Sequence, residues 1–146
     1  MTEHFSLNDF TISHTALRLG VDNTPPAGII KNLENTAKKL ELIRFLIGCP
    51  IIVLSGYRSD KLNFAIGGRP NSQHLTGEAV DIIAPRYGSP YDLAKRISEN
   101  AASLNFDQLI LEFDKWVHVS FNATPRNEVI TIQSKNVGYL KGLLKS

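Results

Sequence analysis

The segment that decides the fold of this chain is Gln108-Leu109-Ile110-Leu111-Glu112-Phe113-Asp114-Lys115-Trp116-Val117-His118-Val119-Ser120-Phe121. Two runs of apolar and β-branched residues flank a polar Asp114-Lys115 step, which predicts a β-hairpin. A three-residue turn pairs Glu112 with Trp116 and places Glu112 and His118 on one face, a diagonal apart. The hairpin therefore presents a carboxylate and an imidazole side by side.

A second polar cluster precedes the hairpin, in Ser72-Gln73-His74-Leu75-Thr76-Gly77-Glu78-Ala79-Val80-Asp81. Residues 78–83 are predicted to form a strand in which Asp81 lies on an otherwise apolar face, so its carboxylate needs a partner. His74 lies in the loop just before this strand, and Gly77 gives that loop the freedom to fold back onto it.

The remaining segments predict an α+β fold with a mostly antiparallel sheet and helices packed on one side. We expect one domain over residues 1–146. The long polar stretch over residues 56–76 is expected to be a functional loop. The predicted helices cover residues 13–20, 27–47 and 91–104, and the predicted strands cover residues 51–55 (buried), 78–83, 108–113, 116–121 and 129–133.

Composition excludes several classes of function. The 146 residues are 42% hydrophobic and 21% charged with a net charge of +2, which gives no basic footprint for nucleic acid. The single cysteine, Cys49, excludes an internal disulfide and a thiolate metal cage. No apolar run is long enough to span a membrane, and the first 20 residues lack a signal-peptide pattern. We expect a monomer that binds neither membrane nor nucleic acid.

The histidines are the most informative residues of the chain. Two of the four, His74 and His118, lie in or just before predicted strands that also carry carboxylates. Two imidazoles and one carboxylate are the usual protein ligands of a catalytic zinc, which keeps one position for water. Spacing alone is also compatible with hydrogen-bonded structural histidines. The residue pattern by itself leaves both interpretations open.

The combined motif resembles that of a known family, the zinc peptidoglycan peptidases of the D-Ala-D-Ala carboxypeptidase type. The match is carried by Ser72-x-His74-x-x-Gly77-x-Ala79-x-Asp81, by Trp116-Val117-His118-Val119-Ser120 and by Ser55-Gly56-Tyr57-Arg58-Ser59. It covers roughly residues 5–121 and is similar to the small phage- and prophage-encoded branch of the family. The resemblance implies the fold shared with the N-terminal signalling domain of hedgehog proteins.

The resemblance implies zinc (Zn²⁺) held by His74, Asp81 and His118. The family carries a catalytic acid or base shortly before its last histidine. Glu112, six residues before His118, is our candidate, and Asp114 is the alternative. Several relatives instead have a carboxylate three residues before that histidine, where this chain has a lysine, and the His-x-His pair of the carboxypeptidases is absent.

The resemblance also implies roles around the metal. Arg58 is expected to stabilise the developing oxyanion or to hold a substrate carbonyl or carboxylate. Ser72 is expected to orient its loop or to contact substrate, and Gln73 is a further substrate-binding candidate. Trp116 could line the peptide cleft or belong to the core.

The function implied is hydrolysis of a peptide bond in the stem or cross-bridge peptides of peptidoglycan. Alternatives are an L-alanyl-D-glutamate endopeptidase rather than a D,D-carboxypeptidase, or a catalytically silent zinc domain in wall binding or in a virion. We expect synthesis in the cytoplasm and action on the cell wall after phage-type release or virion delivery. About 25 C-terminal residues have no assigned role.

Overall fold

The computed structural model of the protein describes residues 1–145. The domain predicted over residues 1–146 therefore includes one residue, Ser146, that lies outside the described residues. Within this range there are six helices and one six-stranded sheet. The helices are α1 (Leu7–Thr11), α2 (His14–Leu19), α3 (Ala27–Ile47), α4 (Asp60–Ala65), α5 (Pro90–Ser98) and α6 (Ala101–Leu104). The strands are β1 (Ile52–Ser55), β2 (Ala79–Ile83), β3 (Gln108–Glu112), β4 (Trp116–Ser120), β5 (Glu128–Ile132) and β6 (Tyr139–Lys141).

The sheet has the strand order β1-β2-β4-β3-β5-β6, and every neighbouring pair is antiparallel except β3 and β5. Helix α5 lies against β3 and β4, and it also contacts α3 and α6. The predicted α+β class with a mostly antiparallel sheet is therefore confirmed. No helix in the described chain is long and apolar enough to cross a membrane.

The core lies between the helices and one face of the sheet. Because alternate residues of a strand point to opposite faces, every second strand residue contributes to this core. On α3, the residues spaced for one helical face are fully buried, as the predicted helix over residues 27–47 requires. The fully or almost fully buried core residues of these elements are Leu33, Ala37, Leu40 and Ile43 of α3, Leu93, Ala94 and Ile97 of α5, and Val80, Ile82, Leu109, Leu111, Val117 and Val119 of the sheet.

Strand β1 corrects the prediction of a buried strand over residues 51–55. It pairs only with β2 at an edge of the sheet, and burial alternates along it, so that Ile52 and Leu54 are 48% and 49% exposed. A continuous apolar run carries no alternation, and an edge position depends on which strands pair rather than on local sequence.

The predicted helix over residues 91–104 is two helices. Helix α5 ends at Ser98, where the Asn100 side chain donates a 2.9 Å hydrogen bond to the Arg96 carbonyl. Asparagine side chains compete with the helical backbone for such partners, which favours an end at this point. Helix α6 then ends at Asn105, which adopts a left-handed conformation with φ of 53°.

Three short elements were not predicted from the sequence. Helix α1 begins with a capping box between Ser6 and Asp9. Helix α4 follows the N-cap residue Ser59 and lies inside the stretch predicted to be a loop. Strand β6 has three residues. Elements this short carry too few residues for a periodic pattern, and their formation depends on what they pack against.

Candidate metal centre

Strand register brings two of the predicted ligands together. Asp81 of β2 is directly opposite His118 of β4 in an antiparallel pair, so both side chains extend from the same face of the sheet. Nδ1 of His118 lies 3.0 Å from Oδ1 of Asp81. This face is the one turned away from the helical core, since the core-facing positions of the same strands are Val80, Ile82, Val117 and Val119.

The turn before β2 delivers His74 to the same place. The backbone N–H of His74 donates to Oγ of Ser72 at 3.2 Å, and its carbonyl accepts from the N–H of Arg58 at 3.0 Å. Gly77 closes the turn with φ of 74°, and a Cβ there would lie 3.0 Å from side-chain atoms of Ile29 and Leu33. The turn therefore requires glycine for both its backbone conformation and its close packing on α3.

The ring of His74 is held so that one nitrogen is left for a cation. Its Nδ1 lies 2.7 Å from the carbonyl oxygen of Gly56, and because a carbonyl can only accept, Nδ1 carries the proton. Nε2 is then an acceptor, and it is buried without a hydrogen-bond partner among the described residues. Nε2 lies 3.4 Å from Oδ1 of Asp81, and no hydrogen bond joins these two acceptors because neither carries a proton.

These three residues could hold a metal ion. One ligand atom from each of His74, Asp81 and His118 lies within 4.8 Å of the others, and the two imidazole rings are 5.1 Å apart between centroids. A buried acceptor aimed at a carboxylate is costly unless something positive lies between them. Two imidazoles and a carboxylate match the ligand set of an open zinc site.

The electrostatics of the cluster favour the protonation states that bind a metal. Burial alone would raise the pKa of Asp81, but His74 and His118 outweigh it and hold that pKa well below its usual range. Burial lowers the pKa of His74, so its imidazole is neutral near neutral pH. An ionised carboxylate and a neutral imidazole are the forms that coordinate metals.

Glu112 lies beside this cluster at the end of β3. The register pairs Glu112 with Trp116 and Ile110 with His118, so Glu112 and His118 share a face one diagonal apart, as predicted. Burial, together with the negative charge of Asp81, raises the pKa of Glu112. A carboxyl group with a raised pKa can both accept and return a proton near neutral pH, which suits a general base.

The alternative carboxylate, Asp114, has a different position. It lies exposed in the three-residue turn between β3 and β4, with φ of 57°, and is not part of either strand. Glu112 is a strand residue on the face that carries His118, whereas Asp114 lies in the turn outside both strands. The geometry favours Glu112 as the acid or base.

Arg58 follows β1 and lies over the same cluster. Its Nε is buried and has no hydrogen-bond partner within residues 1–145. Burial lowers its pKa, while Asp81 and Glu112 act in the opposite direction because both carboxylates are close. The guanidinium therefore has one N–H donor, Nε, with no acceptor among the described residues, and it lies close to Glu112.

The three predicted substrate-binding residues have separate environments. Ser72 accepts the hydrogen bond of His74 described above, which orients the loop. The amide of Gln73 donates to Oδ2 of Asp107 at 2.9 Å, which directs it toward a buried carboxylate and away from the metal cluster. Trp116 packs edge-on against Phe113, and its buried Nε1 has no hydrogen-bond partner in the described chain although the indole is next to Glu112.

Sequence reasoning missed Asp107 and its partner Arg126. Asp107 is fully buried at the start of β3, and Arg126 forms a two-pronged ion pair with it. The only sequence signal was a carboxylate inside an apolar stretch, and no local pattern indicates which cation, 19 residues away, would neutralise it.

Gly56 provides a test of how tightly the site is built. A Cβ at Gly56 would lie 2.5 Å from the carbonyl oxygen and 2.7 Å from Cα of Phe10, and backbone atoms cannot move aside like a flexible side chain. We expect Gly56→Ala to lower the free energy of unfolding by about 1–3 kcal/mol, the usual cost of overpacking. It should also weaken metal binding, because the Gly56 carbonyl orients His74.

Chemical denaturation and zinc titration would measure both effects. Gly28→Ala is the matched control, because a Cβ at this helical position meets nothing within 4 Å. Its stability should be unchanged or slightly higher, since alanine is the better helix former. A Gly56→Ala protein as stable as this control would contradict the close approach.

Comparison with known proteins places these residues in a wider group. A family model described as Peptidase M15 matches residues 3–120, which is most of the chain. The matched range contains the three candidate ligands together with Arg58 and Glu112. Strands β5 and β6 lie beyond it. A search of curated proteins found no match to the chain.

Proposed function

Because the chain belongs to the Peptidase M15 family of zinc peptidases of the D-Ala-D-Ala carboxypeptidase type, we propose that it hydrolyses a peptide bond in peptidoglycan stem or cross-bridge peptides. The observation that carries the proposal is the buried Nε2 of His74, which has no hydrogen-bond partner among residues 1–145 and faces Asp81 beside His118. Glu112 and Arg58 add an acid–base group and an anion-stabilising group to the same face.

The ligands in this proposal are His74, Asp81 and His118. A zinc ion held by them would supply a Lewis acid that activates water and polarises the scissile carbonyl. The imidazole of His74 is neutral and the carboxylate of Asp81 carries one negative charge, so these two ligands would offset only part of the charge of a divalent ion.

In the proposed mechanism, Glu112 takes a proton from water as the water oxygen bonds to the carbonyl carbon. Arg58 donates hydrogen bonds to the carbonyl oxygen as negative charge develops there. When the carbon–nitrogen bond breaks, Glu112 returns the proton to the leaving amine nitrogen. The immediate products are a carboxylic acid and an amine, and Glu112 ends in its starting state. At neutral pH the acid's proton passes to the amine, which leaves a carboxylate and an ammonium group.

The identity of the bond is also a proposal. Lys115 stands three residues before His118, and Trp116 replaces the first histidine of a His-x-His pair, so the chain departs from some carboxypeptidases at both positions. An L-alanyl-D-glutamate endopeptidase is therefore the second candidate. The peptidoglycan substrate places the reaction in the cell wall, which the chain would reach by phage-type release or on a virion.

Digestion of purified peptidoglycan tests the function and names the bond. We expect the protein with zinc to release fragments whose masses show one type of new peptide terminus, and a chelator to abolish the release. Loss of terminal D-alanine would indicate a carboxypeptidase, and a new D-glutamate amino terminus would indicate the endopeptidase. Unchanged peptidoglycan from a zinc-loaded protein would contradict the peptidase proposal and favour a silent wall-binding or virion module.

A further inference from the structure

The turn that carries His74 is connected to an ion pair outside the metal cluster, between the buried Asp107 and the exposed Arg126. Asp107 is fully buried, and its carboxylate accepts hydrogen bonds from Arg126 Nε at 2.8 Å, Arg126 Nη2 at 2.8 Å and the Arg126 backbone N–H at 3.0 Å. The fourth donor is the Gln73 amide, at 2.9 Å. Gln73 immediately precedes the candidate ligand His74.

Gln73 is fixed at its backbone as well as at its side chain. Its carbonyl accepts from the backbone N–H of Glu78 at 3.0 Å and of Thr76 at 3.3 Å. The far side of the turn is held by α3, where Asn32 and Thr36 donate to the carbonyls of Thr76 and Gly77. Asp107 is thus the charged anchor on the side of the turn next to His74.

We propose that Asp107 is a positioning residue for the metal site, acting through Gln73 on His74, with Arg126 holding the carboxylate in place. This inference rests on the proposed function, because it assigns the network a role in metal binding. A hydrogen bond to an ionised carboxylate is stronger than one between neutral groups, so it can fix the start of the turn firmly. Arg126 lies beyond the range matched by the family model.

The physical reason for such a role is that metal affinity depends on how well the ligands are preorganised. The Nε2 of His74 must face Asp81, and a small rotation of the backbone at residue 74 would turn it away. Partners that orient metal ligands from outside the coordination shell typically change metal affinity by about 10–100-fold when removed. The link from Arg126 through Asp107 to Gln73 is such a set of partners.

The decisive variant is Gln73→Ala, because it removes the link and leaves the Asp107–Arg126 ion pair intact. The matched control is Gln108→Ala, since the Gln108 amide also donates to a carboxylate, Glu128, at 2.7 Å but lies outside the turn. Zinc dissociation constants would be measured by competition with a chromophoric chelator. Thermal unfolding of both zinc-free proteins would be measured in parallel.

We expect zinc to bind about tenfold or more weakly to Gln73→Ala than to the wild type. Gln108→Ala should bind zinc like the wild type, and the two zinc-free variants should unfold at similar temperatures. A purely structural role would instead lower the unfolding temperature of Gln73→Ala without changing its zinc affinity. That result overturns the inference.

A double variant tests whether Asp107 acts through Gln73. Asp107→Asn should also weaken zinc binding, and adding it to Gln73→Ala should weaken binding no further, because both changes break one link. Additive effects overturn the proposed route. Wild-type protein that binds no zinc overturns the proposed function, whereas normal wild-type binding with an unaffected Gln73→Ala variant overturns only this inference.

Discussion

Glu112→Gln is expected to reduce peptide hydrolysis by at least about a hundredfold while zinc binding is retained, because loss of a general base typically costs 10²–10⁴-fold. Glutamine has the size of glutamate but cannot accept a proton from water. The half-buried side chain should stay in place between Trp116 and His118 on the sheet face, so the fold should not change. The measurements are turnover of a synthetic stem peptide by chromatography and zinc content by mass spectrometry.

The control for this experiment is Asp114→Asn, which changes the rival carboxylate in the exposed turn. We expect it to keep turnover within a few-fold of the wild type, because Asp114 is exposed in the turn and belongs to neither strand. The opposite pattern, with Asp114→Asn inactive and Glu112→Gln active, would assign the base to the turn. Full activity in both variants would remove a carboxylate base from the mechanism.

Asp81→Asn is expected to abolish activity and to weaken zinc binding by more than about a hundredfold. Loss of a partner outside the coordination shell costs up to about a hundredfold, and the loss of a ligand should cost more. Asp81 lies within reach of both imidazoles, at 3.0 Å from His118 and 3.4 Å from His74. An amide oxygen is neutral, so the variant loses the negative charge that attracts the cation. It can still accept a hydrogen bond from His118, and the zinc-free protein should fold.

Asp60→Asn is the control for the loss of a carboxylate, since Asp60 is exposed in the first turn of α4. We expect it to bind one zinc per chain and to hydrolyse peptide like the wild type. Thermal unfolding with and without zinc provides an independent measurement: zinc should stabilise the wild type and this control but not Asp81→Asn. Equal stabilisation of all three proteins would show that the metal binds elsewhere.

The strand pattern was predictable where residues repeat regularly. The alternation in residues 108–121 determined the hairpin register, and with it the diagonal that places Glu112 beside His118. The heptad-like spacing of apolar residues determined α3 to the residue, with Gly48 at its C-terminal end. These features depend on neighbours within a few positions, so the sequence contains them directly.

The position of β1 could not be predicted in the same way. An apolar run of this length fits a central strand and an edge strand equally well, and only the pairing of β2 with β4 leaves β1 at the edge. The short helix α4, inside the loop that carries Arg58, could not be predicted either, because the formation of so short a helix depends on what it packs against. Its six residues are too few to show a helical period in the sequence.

By itself, the sequence determined the residue types of the candidate centre, their order and the register of the hairpin that carries Glu112 and His118. Only the tertiary structure decided that Nε2 of His74 has no hydrogen-bond partner among residues 1–145 and that the Gln73 amide donates to Asp107. The reason is physical: a strand pattern fixes which face a side chain occupies, whereas a hydrogen-bond partner is fixed by which distant segments fold against it. Gly56, Asp107 and Arg126 come from three such segments, and they meet around one turn only when the chain is folded.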